Sequence, residues 1–204
     1  MYKLLSRGLL GSNTYLAYDA ATREAMVIDC GNPVREVREL VAREALTVKY
    51  IVLTHAHYDH ADLFAEYRAA FPEARALSHA AELPLMNDTE ANVSVYFGTS
   101  RFYGYPDGEL KDGERLYLGE VGYRVISTPG HTPGSICIFC EAEGVMFTGD
   151  TLFAAGRGRC DFKFGSEEQI HRSLARLLAM DGEITVLPGH GPATKIAAER
   201  GRVF

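Results

Sequence analysis

The sequence predicts an α/β (α+β) fold, a four-layer αββα sandwich in which two β-sheets pack face to face and helices cover both. Three observations predict it. Both halves of the chain are rich in strand patterns, and amphipathic helix patterns lie between the strands. In addition, 47% of the 204 residues are hydrophobic, which is enough to bury a core of this size. We therefore treat residues 1–204 as a single domain.

The first half begins with apolar and alternating stretches that predict strands at about 2–10, 14–19 and 25–29. A helix is predicted at about 33–46, with Asn32 as its cap and Pro33 in its first turn. The buried strand YIVLT then runs to Thr54. It is followed by a helix containing LFAEYRAAF, a short strand at ARALS and a helical AAELPLM.

The second half repeats the alternation after an irregular, aromatic stretch at 88–108. Strands are predicted near 116–118, 122–127, 135–140 and 144–148, then a helix at about 166–180 and the strand ITVL. The loop 92–105 within the irregular stretch is rich in aromatic residues: Tyr96, Phe97, Phe102, Tyr103 and Tyr105. This loop either lines the entrance of a substrate site or packs against a sheet edge, and the sequence leaves both open.

Charge and hydropathy exclude several classes of partner. The net charge is −6, and no basic stripe indicates binding to nucleic acid. The N-terminal segment lacks the long apolar core and cleavage site of a signal peptide, and no run approaches the roughly 20 apolar residues of a membrane span. We therefore expect a cytoplasmic protein that acts on a small-molecule substrate and binds neither nucleic acid nor membrane. The sequence does not indicate an oligomeric state.

The four cysteines do not form a recognisable metal motif. Cys137 and Cys140 lie three residues apart on a predicted strand, so their side chains face opposite sides. No second pair completes a zinc knuckle, and both are predicted to be packed in the core. Cys30 stands alone, and Cys160 lies near the candidate site without an assigned role.

Metal-type ligands follow four of the predicted strands. Because ligands in α/β sheets gather beyond the carboxyl ends of strands, these four ends predict one shared site. The seven candidates are His55, His57, Asp59 and His60 in HAHYDH after YIVLT, His131 in PGH, Asp150 in TGD and His190 in the second PGH.

The spacing divides these residues between two ions. Residues two apart in an extended segment face the same side, so one ion would take His55, His57 and His131. The other ion would take Asp59 and His60, which lie where the chain turns into the next helix, and His190, which follows the last strand. Asp150 is left to bridge both ions with its two oxygens.

This ligand chemistry predicts a catalytic centre. Histidine and aspartate without cysteine suit zinc, with iron or manganese as alternatives. Seven ligands exceed what a structural ion needs, whereas two ions roughly 3.5–4 Å apart can activate a shared water. We therefore predict a metal-dependent hydrolase with two divalent metal ions. His79 is predicted to cap or pack a helix start and His171 to lie on an exposed helix face, both outside this site.

The motifs HAHYDH, PGHTPGS, TGDTLF and LPGHGP, in this order and spacing, resemble those of the metallo-β-lactamase fold superfamily over essentially the whole chain. The stretch GDTLFAAGRGRCDF is most similar to glyoxalase II-like hydrolases of the hydroxyacylglutathione hydrolase type. The resemblance implies the same division of ligands between two ions and a thioester or similar acyl substrate, attacked by a metal-bridged hydroxide. True metallo-β-lactamases typically lack an aspartate at the Asp150 position, so the resemblance points away from antibiotic hydrolysis.

The sequence indicates roles for three further residues. Asp59 is a catalytic candidate that would steer the proton of the nucleophile. Asp29, at the end of the strand in MVIDCG, resembles a residue that orients metal ligands, with strand-end capping as the alternative. Arg159 resembles a basic residue that would bind a substrate carboxylate, with a surface role as the alternative. Full-length glyoxalase II has an additional C-terminal helical domain that contacts glutathione. This sequence ends at Phe204, and glutathione specificity therefore stays open.

Other activities stay open. The persulfide dioxygenases share this fold and bind one iron through two histidines and one aspartate. Their loop resembles Arg159, Asp161 and Phe162, whereas GHGP at 189–192 is more similar to the hydrolases. Lactonases and phosphodiesterases of the fold use the same metals, so the motifs do not exclude them. A non-catalytic binding module is disfavoured because the ligand set is complete.

Overall fold

The first half of the chain forms a mixed six-stranded sheet. The computed structural model describes residues 1–202, and Val203 and Phe204 lie outside the described residues. The strands follow one another in space as in sequence: β1 (Tyr2–Leu5), β2 (Thr14–Tyr18), β3 (Glu24–Ile28), β4 (Thr47–Val52), β5 (Arg75–His79) and β6 (Gly108–Leu110). The pairs β1–β2 and β2–β3 are antiparallel, and β3 to β6 are parallel.

Helices make the crossovers that parallel strands require. The connections from β3 to β6 contain α1 (Val34–Arg43), α2 (Tyr58–Ala61), α3 (Phe64–Ala70) and α4 (Leu83–Met86). The short helix α2 begins directly after the turn that follows β4, which places its residues at the carboxyl end of the sheet. This position is where the HAHYDH motif lies.

The second half forms another mixed six-stranded sheet. Its strands are β7 (Arg115–Leu118), β8 (Val121–Ser127), β9 (Ile136–Cys140), β10 (Val145–Gly149), β11 (Thr185–Pro188) and β12 (Thr194–Lys195). Their spatial order is β12-β11-β10-β9-β8-β7. Only β10 and β11 are parallel, and α5 (Glu167–Leu178) connects them, while α6 (Ile196–Glu199) follows β12.

Alternation along the strands separates three apolar layers. In β2, Tyr15 and Ala17 face the layer between the two sheets, whereas Leu16 and Tyr18 face the helices outside the first sheet. Phe147 of β10 joins the layer between the sheets, and a third layer packs the second sheet against α5. The predicted αββα sandwich is confirmed.

Two local predictions near the N-terminus are wrong. The first strand ends at Leu5 instead of about residue 10, because residues 9–11 form a 3₁₀ turn in which Leu10 has a φ of 55°. Asn32 does not cap α1. Its Oδ1 accepts a hydrogen bond from the Arg7 amide at 2.7 Å, and its Nδ2 donates to the Ser12 carbonyl at 3.0 Å. These contacts with the N-terminal segment replace the cap.

Most of the remaining local predictions are confirmed. Cys137 lies in the layer against α5 and Cys140 in the layer between the sheets, so they face opposite sides. His79 caps a 3₁₀ turn by accepting from the Ala81 amide at 3.2 Å, and His171 lies on the exposed face of α5. Across residues 1–202, every helix is too short or too polar for a membrane crossing.

Candidate metal centre

All seven predicted ligands lie beyond the carboxyl ends of strands, and the structure brings them to one place between the sheets. β4 leads into the turn with His55 and His57, and α2 carries Asp59 and His60. From the second sheet, His131 follows β8, Asp150 follows β10 and His190 follows β11. These seven residues are called the metal centre below. All are buried except His190, whose side chain is 26% exposed.

The first group of the metal centre contains His55, His57 and His131. Each offers one ligand atom, and these atoms lie within 4.8 Å of one another. His57 Nδ1 is 2.8 Å from His131 Nε2, so the two rings direct nitrogen atoms toward a common point. The spacing-based grouping of these three histidines agrees with this geometry.

The second group contains Asp59, His60 and His190, and its ligand atoms also lie within 4.8 Å of one another. His190 Nε2 lies 3.0 Å from Asp59 Oδ2 and 3.1 Å from His60 Nε2. Asp150 stands between the two groups. Its Oδ1 is 3.3 Å from His60 Nε2, and its Oδ2 is 3.6 Å from both His131 Nε2 and His190 Nε2. A carboxylate in this position can reach an ion in either group.

Hydrogen bonds on the outer side of the rings set the tautomers. His60 Nδ1 lies 2.9 Å from Asp29 Oδ2, and a carboxylate can only accept, so Nδ1 carries the proton. The Thr54 hydroxyl also donates to Asp29 Oδ2, at 2.8 Å. That hydroxyl therefore accepts from His55 Nδ1 at 3.1 Å. In the neutral form of both histidines, which is the form that binds a metal, the unprotonated Nε2 faces the metal centre.

Asp29 thus contacts His60 directly and reaches His55 through the Thr54 hydroxyl. It is 2% exposed, and its Oδ1 also accepts from the Thr54 amide at 2.7 Å. His131 is oriented by a different partner, because its Nδ1 donates to the Arg159 carbonyl at 2.7 Å. The backbone of Arg159 therefore supports the metal centre independently of its side chain.

The electrostatics favour neutral imidazoles in the first group of the metal centre and ionised carboxylates at Asp59 and Asp150, and these are the forms that bind metals. Burial lowers the pKa of His55 and of His57 well below the ordinary value. Burial alone would raise the pKa of Asp150, but the neighbouring histidines, His60 foremost, together outweigh it and hold that pKa well below its usual range. The pKa of His60 is raised well above its usual value because Asp150 and Asp59 outweigh the effect of burial. The same negative charge attracts a metal cation.

Two buried polar atoms without a hydrogen-bond partner further indicate that the metal centre suits divalent ions. His55 Nε2 and Asp150 Oδ1 are buried and have no hydrogen-bond partner among the described residues. An orphaned polar group in the interior costs about 1–3 kcal/mol, and a cation between the groups would supply the missing partner. Histidine and aspartate donors are also the set that zinc, iron and manganese accept.

Two glycines allow this close approach. A Cβ at Gly158 would overlap the Asp150 carbonyl oxygen and lie 2.8 Å from His131 Nδ1. A Cβ at Gly189 would overlap Asp150 Oδ1. Both positions must therefore lack a side chain so that ligands from different strands can converge.

A cavity of about 360 Å³ opens onto the metal centre. Candidate ligands from both groups form its buried floor, and five apolar residues line its sides. These five, the apolar rim, are Leu10, Val93, Phe97, Phe153 and Phe162. Val93 and Phe97 belong to the aromatic loop 92–105, whereas Tyr103 of that loop packs into the core, so the loop both lines the cavity and packs against the fold.

The Arg159 side chain also borders this cavity, and it already has a partner. Its guanidinium contacts both oxygens of Asp161, at 2.6 and 2.5 Å, and lies 4.4 Å from the centre of the Phe162 ring. A substrate carboxylate would compete with Asp161 for the same donors. Arg157 borders the cavity as well and is paired with Glu167 at 2.6 Å.

Comparison with protein families agrees with the motifs and the fold. The model of the metallo-beta-lactamase superfamily matches residues 7–190. The chain belongs to this superfamily. The resemblance seen in the four ligand motifs is thereby confirmed.

Several members of the superfamily align over most of this chain. A hydroxyacylglutathione hydrolase of Francisella tularensis subsp. novicida is 32% identical over 178 residues, which are 86% of this chain and 61% of that protein. The crystal structure of BLEG-1 B3 metallo-beta-lactamase has a TM-score of 0.90 at 31% identity and covers 98% of this chain and 96% of its own. TTHA1623 in a di-iron-bound form has a TM-score of 0.87 at 29% identity, with 98% of both chains covered.

Sequence reasoning missed one buried residue that connects the ligand loops. Glu82, at the start of α4, is fully buried and accepts hydrogen bonds from the Ala56 amide at 2.7 Å, the Gly134 amide at 2.7 Å and the Thr132 hydroxyl at 2.6 Å. Ala56 lies between two ligands, and Thr132 follows His131. Burial raises the pKa of Glu82 to about 7 despite these three donors.

Proposed function

We propose that this superfamily member is a metallo-hydrolase that cleaves a thioester or similar acyl bond with a water nucleophile. One divalent ion is assigned to the first group of the metal centre and a second ion to the second group, with Asp150 between them. The observation that carries the proposal is the convergence of seven candidate ligand side chains, whose ligand atoms lie within 4.8 Å of one another in each group. The similarity to a hydroxyacylglutathione hydrolase supports the thioester class.

The cavity lining supports water as the nucleophile. Among the described residues that line it there is no serine, threonine or cysteine that could attack a carbonyl. Two bound divalent ions would lower the pKa of a water molecule to about 7 and polarise the substrate carbonyl. Asp59 lines the cavity floor, where it can hold the proton of the attacking water and pass it on.

The overall reaction is a simple exchange of bonds. A carbon–oxygen bond forms between water and the acyl carbon, and the carbon–sulfur bond breaks. The sulfur leaves with the bonding electron pair and takes up a proton, so the products are a carboxylic acid and a thiol. In this proposal the exchange occurs where the candidate ligands line the cavity.

Zinc is the proposed native metal, and iron is the principal alternative because TTHA1623 was crystallised in a di-iron-bound form. We further propose that residues 1–204 act as one hydrolase domain, because both sheets contribute to the same centre. A cytoplasmic location, a small-molecule substrate and the lack of nucleic-acid or membrane partners stay predictions. The role of the Arg159 side chain as an anchor for a substrate carboxylate also stays a prediction.

The test begins with metal analysis of protein purified without added metal. We expect about two divalent ions per chain. The metal-loaded protein is then assayed on a panel of thioesters, lactones, phosphodiesters and a β-lactam, and we expect it to hydrolyse the thioesters. Lactone or phosphodiester turnover far above thioester turnover would replace the thioester assignment with another hydrolase activity. Faster cleavage of the β-lactam would instead place the chain with proteins such as BLEG-1. One iron per chain with oxygen uptake on a persulfide would replace the hydrolase with a dioxygenase.

Variants of the metal centre provide the second test. Asp59→Ala and Asp150→Ala should each lower metal content and turnover, because each removes a carboxylate that faces the ions. His171→Ala is the control, since it removes a histidine on the outer face of α5. Full metal loading and wild-type turnover in both aspartate variants would refute the proposed centre.

A further inference from the structure

Apolar side chains of the rim flank the first group of the metal centre. Phe162 stands edge-on to His57, with 5.7 Å between ring centres. Phe97 stacks on Tyr58 at 5.6 Å and remains 45% exposed at the cavity opening. The side of the cavity next to the first group is therefore an aromatic wall.

A second apolar wall flanks the second group. Phe153 stands edge-on to His190, with 6.0 Å between ring centres. Leu10 borders the cavity from the turn at 9–11 and is 60% exposed. This turn is held close to the His190 loop because the Asn13 amide donates to the Gly189 carbonyl at 2.7 Å.

Two rim residues are held in a conformation that L-residues rarely adopt. Leu10 has a φ of 55° and Val93 a φ of 63°, and for a β-branched residue such as valine this is a genuine outlier. The Val93 turn is fixed by Asn92, whose side chain accepts from the Ser94 amide at 3.0 Å and donates to the Arg101 carbonyl at 3.0 Å. Strain of this kind persists where the surrounding structure enforces it, and it often accompanies function.

The cavity opening also carries no unpaired positive charge among the residues that line it. Each of its two arginines is paired with an acidic residue of the chain: Arg157 with Glu167 and Arg159 with Asp161. A carboxylate on a substrate would have to displace one of these partners. An apolar group meets no such competition, and it buries aromatic surface that water otherwise contacts.

We infer that the substrate is uncharged and apolar on both sides of its scissile carbonyl, with an aryl or alkyl acyl group beside Phe97 and Phe162 and an apolar leaving group beside Leu10 and Phe153. The inference rests on the proposed acyl hydrolase function and specifies its substrate class. It is the alternative to the prediction that Arg159 anchors a substrate carboxylate, because here the apolar rim selects the substrate.

Four thioesters that differ only in charge provide the test. The acyl group is phenylacetyl or para-carboxyphenylacetyl, and the leaving group is thiophenol or para-mercaptobenzoate. With metal-loaded protein, we expect the doubly neutral compound to have the highest kcat/KM and each carboxylate to lower it about tenfold. A preference for either carboxylate that disappears in Arg159→Ala would overturn the inference.

Variants of the apolar rim then test which side chains cause the preference for apolar groups. Phe97→Ala should lower kcat/KM about tenfold for the phenylacetyl thioester and at most about twofold for the acetyl thioester of the same thiol, because acetyl does not reach the wall. Phe102→Ala is the matched control, since Phe102 lies in the same loop, is 68% exposed and does not line the cavity. Equal losses on both substrates in Phe97→Ala would refute the acyl subsite.

A corresponding variant tests the other wall. Leu10→Ala should lower kcat/KM for the thiophenol compound about threefold to tenfold and leave the para-mercaptobenzoate compound nearly unchanged. If none of these thioesters is hydrolysed by metal-loaded protein, the proposed thioester activity fails. If all are hydrolysed with a preference for charged groups, that activity stands and only the apolar substrate class is refuted.

Discussion

Replacing Glu82 with glutamine tests how the ligand loops are held together. Oε2 of Glu82 accepts from the Ala56 amide, while Oε1 accepts from both Gly134 and Thr132. A glutamine has one carbonyl oxygen, which can serve the Gly134 and Thr132 donors. Its amide nitrogen would then face the Ala56 N–H, donor against donor. The residue between His55 and His57 would lose its acceptor.

The effect on stability depends on pH, because the buried carboxyl titrates differently in the two states. The pKa of Glu82 is raised from 4.5 to about 7 in the folded chain, mainly by burial. Between these values the folded state binds more protons than the unfolded state, so the contribution of Glu82 to stability falls as the pH rises. Above pH 7 the contribution of Glu82 to the free energy of unfolding is about 3 kcal/mol smaller than it is below pH 4.5. Glutamine does not titrate and removes this slope.

The assay is urea unfolding of metal-free wild type and Glu82→Gln from pH 5 to pH 8. As the pH rises across this range, we expect the free energy of unfolding of the variant to increase by up to about 3 kcal/mol relative to that of wild type. We expect the metal affinity and turnover of the variant to be lower than those of wild type. Glu183→Gln is the control, since Glu183 is exposed and pairs with Lys195 at the surface. A stability difference that stays constant from pH 5 to pH 8 would refute the raised pKa. Unchanged metal affinity would refute the role of Glu82 in positioning the ligand loops.

Three further perturbations address the supports of the metal centre. Asp29→Asn should weaken binding of the second ion about 10–100-fold in a metal titration, because His60 loses its carboxylate acceptor. Gly158→Ala should lower the free energy of unfolding by about 1–3 kcal/mol and reduce metal content, since its Cβ overlaps the Asp150 carbonyl oxygen. Chelation should lower the Tm, and zinc at 100 times its Kd should restore about 2.7 kcal/mol. An unchanged Tm after complete metal removal would contradict coupling between ion binding and folding.

The proximity of the seven candidate ligands was predictable because their motifs follow apolar strands. A strand fixes where its carboxyl end lies, so His131, Asp150 and His190 could be placed at one sheet edge from local patterns alone. The alternation that placed Cys137 and Cys140 on opposite faces is equally local. Long strands and the amphipathic α5 were predicted within a few residues for the same reason.

The missed features depend on partners far away in the chain. Glu82 is 26 residues from Ala56 and 50 from Thr132, and nothing in AAELPLM indicates that its carboxylate joins two loops. Asn32 followed by proline is a typical helix start, but contacts with Arg7 and Ser12 occupy its side chain. Strands β6 and β12 have three and two residues, too few for a hydrophobic period to show.

The ligands and the apolar rim come from different parts of the chain, and this separation has a consequence for specificity. Ligands sit at strand ends, and those whose tautomers are fixed are held by Asp29, Thr54 and the Arg159 carbonyl. The rim side chains come from the turn at 9–11, the loop 92–105 and the segment 153–162. Replacing a rim residue can therefore change the substrate without moving a ligand. One metal centre on one fold can thus serve different reactions, and the rim is where the substrate of this chain must be sought.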